Sequence, residues 1–262
     1  MAIVLVTSAS GAPGVTSTAV GLALVWPSTV MLADCDRTPA QAVLAGYLRG
    51  TDASGIGLTG LARAHREGRP LAQAIANETI PLAMGEVRRT FLPGFPTPGA
   101  AQLFNQAWAG LGDAFDALSR AGVDVIVDVG RIGPQGPPPG LLTHADSVLV
   151  VTRTNLPALS GLRLHLPVLT DSLERLRGTV TGLGIVLVGE GQPYSSKEIS
   201  DLLGSPVAGS IPHDASAAAV LGEGTDEPRR YGDSRYIRSL RTLSSQIVAS
   251  MAEQRRRIVG VR

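Results

Sequence analysis

The chain has 262 residues, of which 44% are apolar and 17% charged, and its net charge at pH 7 is +1. This composition describes a folded chain with a sizeable core, not a disordered one, and a charge so near zero supplies no global field to gather nucleic acid or membrane. Cys35 is the only cysteine, which excludes a disulfide framework and any all-cysteine metal or iron–sulfur site within one chain.

Taken in order, the chain opens on the apolar run Val4-Leu5-Val6, breaks at Gly11 and Gly14, and resumes at helical spacing until Trp26-Pro27. No positively charged segment precedes that run, so no signal peptide is expected. The most apolar window, residues 20–32, is interrupted by Trp26-Pro27-Ser28 and is too short to cross a bilayer, which makes a cytoplasmic location the expectation. A second buried strand is predicted over 29–33, ending in Asp34-Cys35-Asp36. Helical spacing recurs at 39–49, 56–66 and 71–77, and a third strand is predicted over 87–92. One long helix should follow, with Leu103, Phe104, Ala107, Leu111, Phe115 and Leu118 on one face. A fourth strand, 123–128, ends at Asp128 and leads into the Gly/Pro-rich stretch 130–140. Three more strands are predicted at 147–152, 184–189 and 207–211, with helices between them, and a last helix over about 234–255. Continuous apolar strands alternating with helices predict an α/β fold: a mostly parallel sheet of about seven strands with helices on both faces. A single domain over 1–255 with a basic tail at 256–262 is expected.

The functional reading starts at the first turn. A glycine loop between a buried strand and a helix offers backbone N–H groups and the positive end of the helix dipole to an anion. Thr16 and Ser17 stand where such a phosphate-binding loop places the hydroxyl that holds Mg²⁺. In an open parallel sheet ligands sit beyond the carboxyl ends of the strands. That edge should gather the loop Gly11-Ala12-Pro13-Gly14-Val15-Thr16-Ser17, the acids Asp34 and Asp36, and Asp128. A phosphate cradle beside three acids has the parts of a nucleotide–Mg²⁺ site, with Thr16, Asp34 and Asp128 for the metal and Asp36 for orienting or deprotonating an attacking water.

The pattern resembles the ParA/MinD superfamily of deviant-Walker ATPases, and within it the TadZ/CpaE group of pilus-positioning proteins. Ser8 to Ser17 is similar to the deviant Walker A loop, Ala33-Asp-Cys-Asp36 to the acidic motif after the second strand, and Val125-Ile-Val-Asp-Val-Gly130 to Walker B and the start of switch II. Leu156 to Ser160 and the block from Ile199 to Asp214 match later segments, and the second of these puts Pro212 and Asp214 on the adenine side. The resemblance implies an ATP- or ADP-binding protein with Mg²⁺, a homodimer formed across the nucleotide face, and protein partners in a pilus or secretion system. It implies no sequence-specific nucleic acid, only indirect membrane contact, and recruitment to a pole or membrane through partners.

The departures are specific. Active members of that superfamily carry lysines where this chain has Ser10 and Val15; Lys197 is the only lysine present, and Pro13 removes one cradle N–H. Loss of a charged hydrogen bond to phosphate should weaken binding roughly ten- to a hundred-fold, so weak binding and very slow or absent hydrolysis are expected. Arg131 is a candidate replacement cation. A true chromosome- or plasmid-partitioning ATPase and an empty-site scaffold are the alternatives. So is a Rossmann-type NAD-dependent oxidoreductase, since an acid about twenty residues after a glycine turn also fits that fold. Against the last, Gly11-x-x-Gly14 is not G-x-G-x-x-G, and Tyr194-Ser-Ser-Lys197 is one residue short of a dehydrogenase Tyr/Lys pair.

Overall fold

The structure, a computed structural model, describes residues 2–9, 11, 14–133 and 136–260. Eight strands form one sheet: β1 (Ile3–Ser8), β2 (Val30–Asp34), β3 (Ile80–Ala83), β4 (Arg89–Leu92), β5 (Asp124–Arg131), β6 (Ser147–Arg153), β7 (Leu183–Val188) and β8 (Val207–Ile211), in the order β3-β4-β2-β5-β1-β6-β7-β8. Every pairing is parallel except β3 with β4.

The strands are apolar along their length because both faces are covered. Ile3, Leu5, Val125, Val127, Val148 and Val150 point into one layer, closed by α2 (Leu58–Arg66), α3 (Leu71–Ala74), α4 (Pro98–Leu103), α5 (Trp108–Arg120), α6 (Pro139–His144), α7 (Leu156–Arg177) and α8 (Ser196–Leu203). Val4, Val6, Ile126, Leu149 and Val151 point into the other, closed by α1 (Val15–Val25), α9 (Ala215–Gly222) and α10 (Arg235–Gly260). Under β1, Asp124 accepts hydrogen bonds from Ala2 N, Trp26 Nε1 (2.9 Å) and Ser28 Oγ, so one buried carboxylate ties the chain start to the end of α1.

The structure bears out the mostly parallel sheet of about seven strands and departs in detail from the sequence expectations at five points. The sheet has an extra strand, β3, whose signal is hidden by Pro81; a proline is tolerated there because β3 is an edge strand. The long helix after Pro96 is two, α4 and α5, and Leu103 is 82% exposed instead of buried. The intervening turn re-aims Phe104 and Trp108 so that they meet each other and Phe95 edge-to-face, with ring centroids 4.8–5.9 Å apart. Residues 39–49 yield only a short wide-turn segment, Val43–Tyr47, in which Gly46 lies so close to the Gly222 carbonyl that no side chain would fit. Finally, β5 does not stop at Asp128 but runs on to Arg131, which pairs with Ser8. The last helix continues through residue 260, taking Arg255, Arg256 and Arg257 into it.

Candidate functional site

The carboxyl ends of β1, β2 and β5 lie side by side, and register fixes what meets there. Val6 and Asp34 both pair with Asp128, so the carboxylates of Asp34 and Asp128 are lateral neighbours on adjacent parallel strands. Asp128 is 3% exposed; it accepts from Gly130 N (2.9 Å), and the Thr16 hydroxyl at the start of α1 lies close enough to favour its ionised form. Asp34 accepts from Asp36 N (3.2 Å) and is walled in by Gly94, where a Cβ would lie 2.6 Å from its carboxyl carbon. Burial, followed by repulsion from Asp128, pushes Asp34 up to about 8. Burial also raises Asp128, to about 6, against the opposing pull of Thr16 and Gly130. The two titrate as one unit. A cation beside the pair would favour ionisation of both carboxylates.

Asp36 is half-buried. Its Oδ1 accepts from Thr38 N at 2.7 Å, burial raises its pKa, and the nearby charges of Arg131 and Arg37 pull it back. Its carboxyl packs over Gly130, whose φ of +64° and missing Cβ make room for it. Arg131 thus sits with Asp36 on the β2–β5 side of the edge. Past it, Arg37 donates to the Gly136 carbonyl, Pro137 and Pro138 are buried, and Gly140 is packed against Trp108 and Ala109, which holds the proline-rich segment down.

On the other side, the N-terminus of α1 opens to solvent. Gly14 is its N-cap at φ 91°, with no side-chain cap and no acid in the first turn, and the first bond of the helix is Thr18 N to Gly14 O (2.8 Å). Among the described residues, nothing lies within 4 Å of where a Cβ at Gly11 or Gly14 would stand. The N–H groups of Val15, Thr16 and Ser17, in the first turn, have no partner within the helix, which is the arrangement that can receive an anion. Val15 itself is 8% exposed and belongs to the core layer under α1.

From this helix start a cavity of about 340 Å³ runs past Gly14, Thr16 and Ser17 to Val188, Pro212, His213 and Asp214. That volume is within the range of small-molecule sites. Asp214 caps α9, accepting from Ala217 N (2.9 Å) and Ser216 Oγ (2.8 Å), and these bonds hold its carboxyl below the usual range. Its carboxylate shapes the wall and is already engaged. Among the described residues no three acid, imidazole or thiol groups converge on a preformed metal site. A magnesium ion with one or two protein ligands plus nucleotide phosphates needs no such cluster, and Thr16 with Asp128, backed by Asp34, are the groups that fit it.

The sequence-predicted residues therefore fall into two neighbouring groups. Gly14, Thr16, Ser17, Asp34 and Asp128 lie at the carboxyl edge of the sheet, with Gly11 on the loop between β1 and α1, Asp36 and Arg131 beside them, and Pro212 and Asp214 across the cavity. Ala12 and Pro13, with Ser10, lie outside the described residues. Sequence reading missed Arg153, which lines the cavity from the end of β6; its only signal was a charged residue closing an apolar strand.

The strand order separates two nucleotide folds. In the dinucleotide-binding order the first two strands are neighbours, whereas here β5 lies between β1 and β2. The fold is that of the ParA and MinD ATPases. A ParA family ATPase from Chlorobium tepidum TLS superposes with a TM-score of 0.71 at 16% identity, covering 93% of this chain and 98% of that one. A chain of the MinC:MinD cell division protein complex of Aquifex aeolicus gives 0.70 at 14%, over 95% and 96%. The septum site-determining protein MinD from Pyrococcus horikoshii OT3, complexed with Mg-ADP, gives 0.65 at 17%, over 94% and 95%. No protein-family model and no curated protein matches the sequence. Like its sequence, the ParA/MinD-like chain has no helix, among the described residues, long and apolar enough to cross a membrane.

Proposed function

We propose that this chain is a nucleotide-binding positioning protein: it takes ADP or ATP with Mg²⁺ weakly, turns it over very slowly or not at all, and works as a dimeric docking factor in a pilus or secretion assembly of the TadZ/CpaE kind. The observation that carries the reading is the uncapped start of α1, with Gly14 at positive φ, opening into the 340 Å³ cavity beside the Thr16–Asp128 pair. In this reading the N–H groups of residues 14–17 receive phosphate, and Pro212 and Asp214 wall the base end. Thr16 and Asp128 hold the metal, which when bound neutralises phosphate charge. Asp36 orients water, flanked by Arg131.

Weakness follows from the chemistry of the loop: residue 15 is a buried valine in place of a cation, and charge on the phosphates is the larger part of such sites. Docking is supported by the proline-rich segment 136–140, which is packed down as a fixed surface, and by the apolar residues Leu164, Val168 and Leu176 exposed along α7. Nucleotide should then control dimerisation only loosely.

Calorimetry and thermal melts with ADP, ATP and NADH, each with and without Mg²⁺, test the site. Mg²⁺-dependent heat and stabilisation with adenine nucleotides are expected. No response to either nucleotide at millimolar concentration refutes it in favour of a scaffold. Sedimentation with and without Mg-ATP tests the assembly: a homodimer in both is expected, and a strict monomer in both, or a sharp ATP-driven step, contradicts it.

A further inference from the structure

We propose that Arg153 supplies the positive charge that the glycine loop lacks, by anchoring the phosphate chain of the nucleotide from the β6 side; this rests on the nucleotide-site reading above. Arg153 is the last residue of β6 and lines the cavity together with Gly14, Thr16 and Ser17 on one side and Val188, its register partner on β7, on the other. In the strand order β6 lies between β1, which delivers the glycine loop, and β7–β8, which deliver Pro212 and Asp214. A ligand stretching from the loop to that wall must pass Arg153.

The other charges in the cavity leave the role to this residue. Its acids are Asp214, engaged as the cap of α9, and Glu223, and its remaining basic group is the imidazole of His213. Arg153 is thus the only guanidinium or ammonium group among the described residues lining the cavity. Arg131 stands on the far side of β1, within the field of Asp36.

The Arg153 side chain is exposed, and among the described residues no ion pair or side-chain hydrogen bond holds its guanidinium. Its backbone is fixed: the buried Thr154 hydroxyl lies within hydrogen-bond distance of the carbonyls of Gly189 (2.6 Å) and Gln192 (2.8 Å), sharing its one hydrogen between them, and Asn155 caps α7. A free planar donor fork on a rigid stem suits phosphate oxygens, which it can grip with two parallel N–H bonds. A lysine in the loop reaches phosphate from the α1 side; Arg153 would reach it from the opposite wall.

The test is titration of Mg-ADP and Mg-ATP into the wild-type chain, Arg153→Ala, Arg153→Lys and Arg131→Ala, with ligand-free melts as a folding control. Arg153→Ala is expected to weaken both nucleotides about ten-fold or more, Arg153→Lys to restore part of that, and Arg131→Ala to change affinity less than about two-fold. Wild-type binding with Arg153→Ala within two-fold of it overturns the Arg153 inference and leaves the site reading intact. So does a ten-fold loss confined to Arg131→Ala. A wild-type chain that takes up neither nucleotide overturns both.

Discussion

Gly130→Ala tests the geometry on which the whole edge depends. Gly130 has φ +64°, and a Cβ there would lie within 2.5 Å of the Asp36 carboxyl carbon and both its oxygens. Two costs add. A left-handed backbone costs a residue with a Cβ about 1–2 kcal/mol, and forcing a methyl into occupied space costs about 1–3 kcal/mol. The lower entropy of the unfolded alanine chain offsets about 0.4–1 kcal/mol. The net loss should be about 2–4 kcal/mol, read by urea denaturation at neutral pH. The diagnostic is the double variant. With Asp36→Ala the colliding carboxylate is gone, so Gly130→Ala made in that background should lose only the backbone part, about 1 kcal/mol. A coupling of about 1–3 kcal/mol between the two positions is therefore expected. Additive losses would show that Asp36 does not pack over Gly130 and that the switch-side half of the site is arranged differently.

Three further predictions concern the acids and the loop. Because Asp34 has its folded-state pKa raised from 3.8 to about 8, its contribution to stability is intact below about pH 4 and is lost as pH climbs through 8. In EDTA, Asp34→Asn should match wild type near pH 4 and exceed it by a few kcal/mol at pH 8.5; equal stability at both pH values contradicts the buried pair. Val15→Lys should lower the ligand-free melting temperature, since a buried valine is worth about 1.5–3 kcal/mol and a lysine stem recovers only part by snorkelling. It should also tighten Mg-ADP about ten-fold, and unchanged affinity would mean that residue 15 does not face the phosphates. Asp124→Ala strands three donors, Ala2 N, Trp26 Nε1 and Ser28 Oγ, and should cost about 3–4 kcal/mol in urea denaturation without altering nucleotide affinity; a loss under about 1 kcal/mol contradicts that tie.

Much of this protein is written locally. Continuous apolar runs such as Val4–Val6 and Val125–Val127 specify strands buried on both faces, and the glycines at 11 and 14 before a helical repeat specify a strand, a turn and an open helix start. Parallel strands place every such turn on one edge, so the convergence of Thr16, Asp34, Asp36 and Asp128 needed no coordinates. What local pattern does not carry is the order of the strands and the packing between distant segments. β3 was illegible because Pro81 is acceptable only at an edge, and being an edge is a property of the sheet. The break between α4 and α5 serves the contact of Phe104 and Trp108 with Phe95, a partner on another segment. Val15 reads as a missing lysine in the sequence, but its burial under α1 is a tertiary fact. The insertion of β5 between β1 and β2 sets Arg131 beside Asp36, while β6, on the other flank of β1, brings Arg153 to the cavity. Both arginines close an apolar strand, and one-dimensional spacing cannot tell which flank of β1 each will occupy; only the lateral order of the sheet decides that.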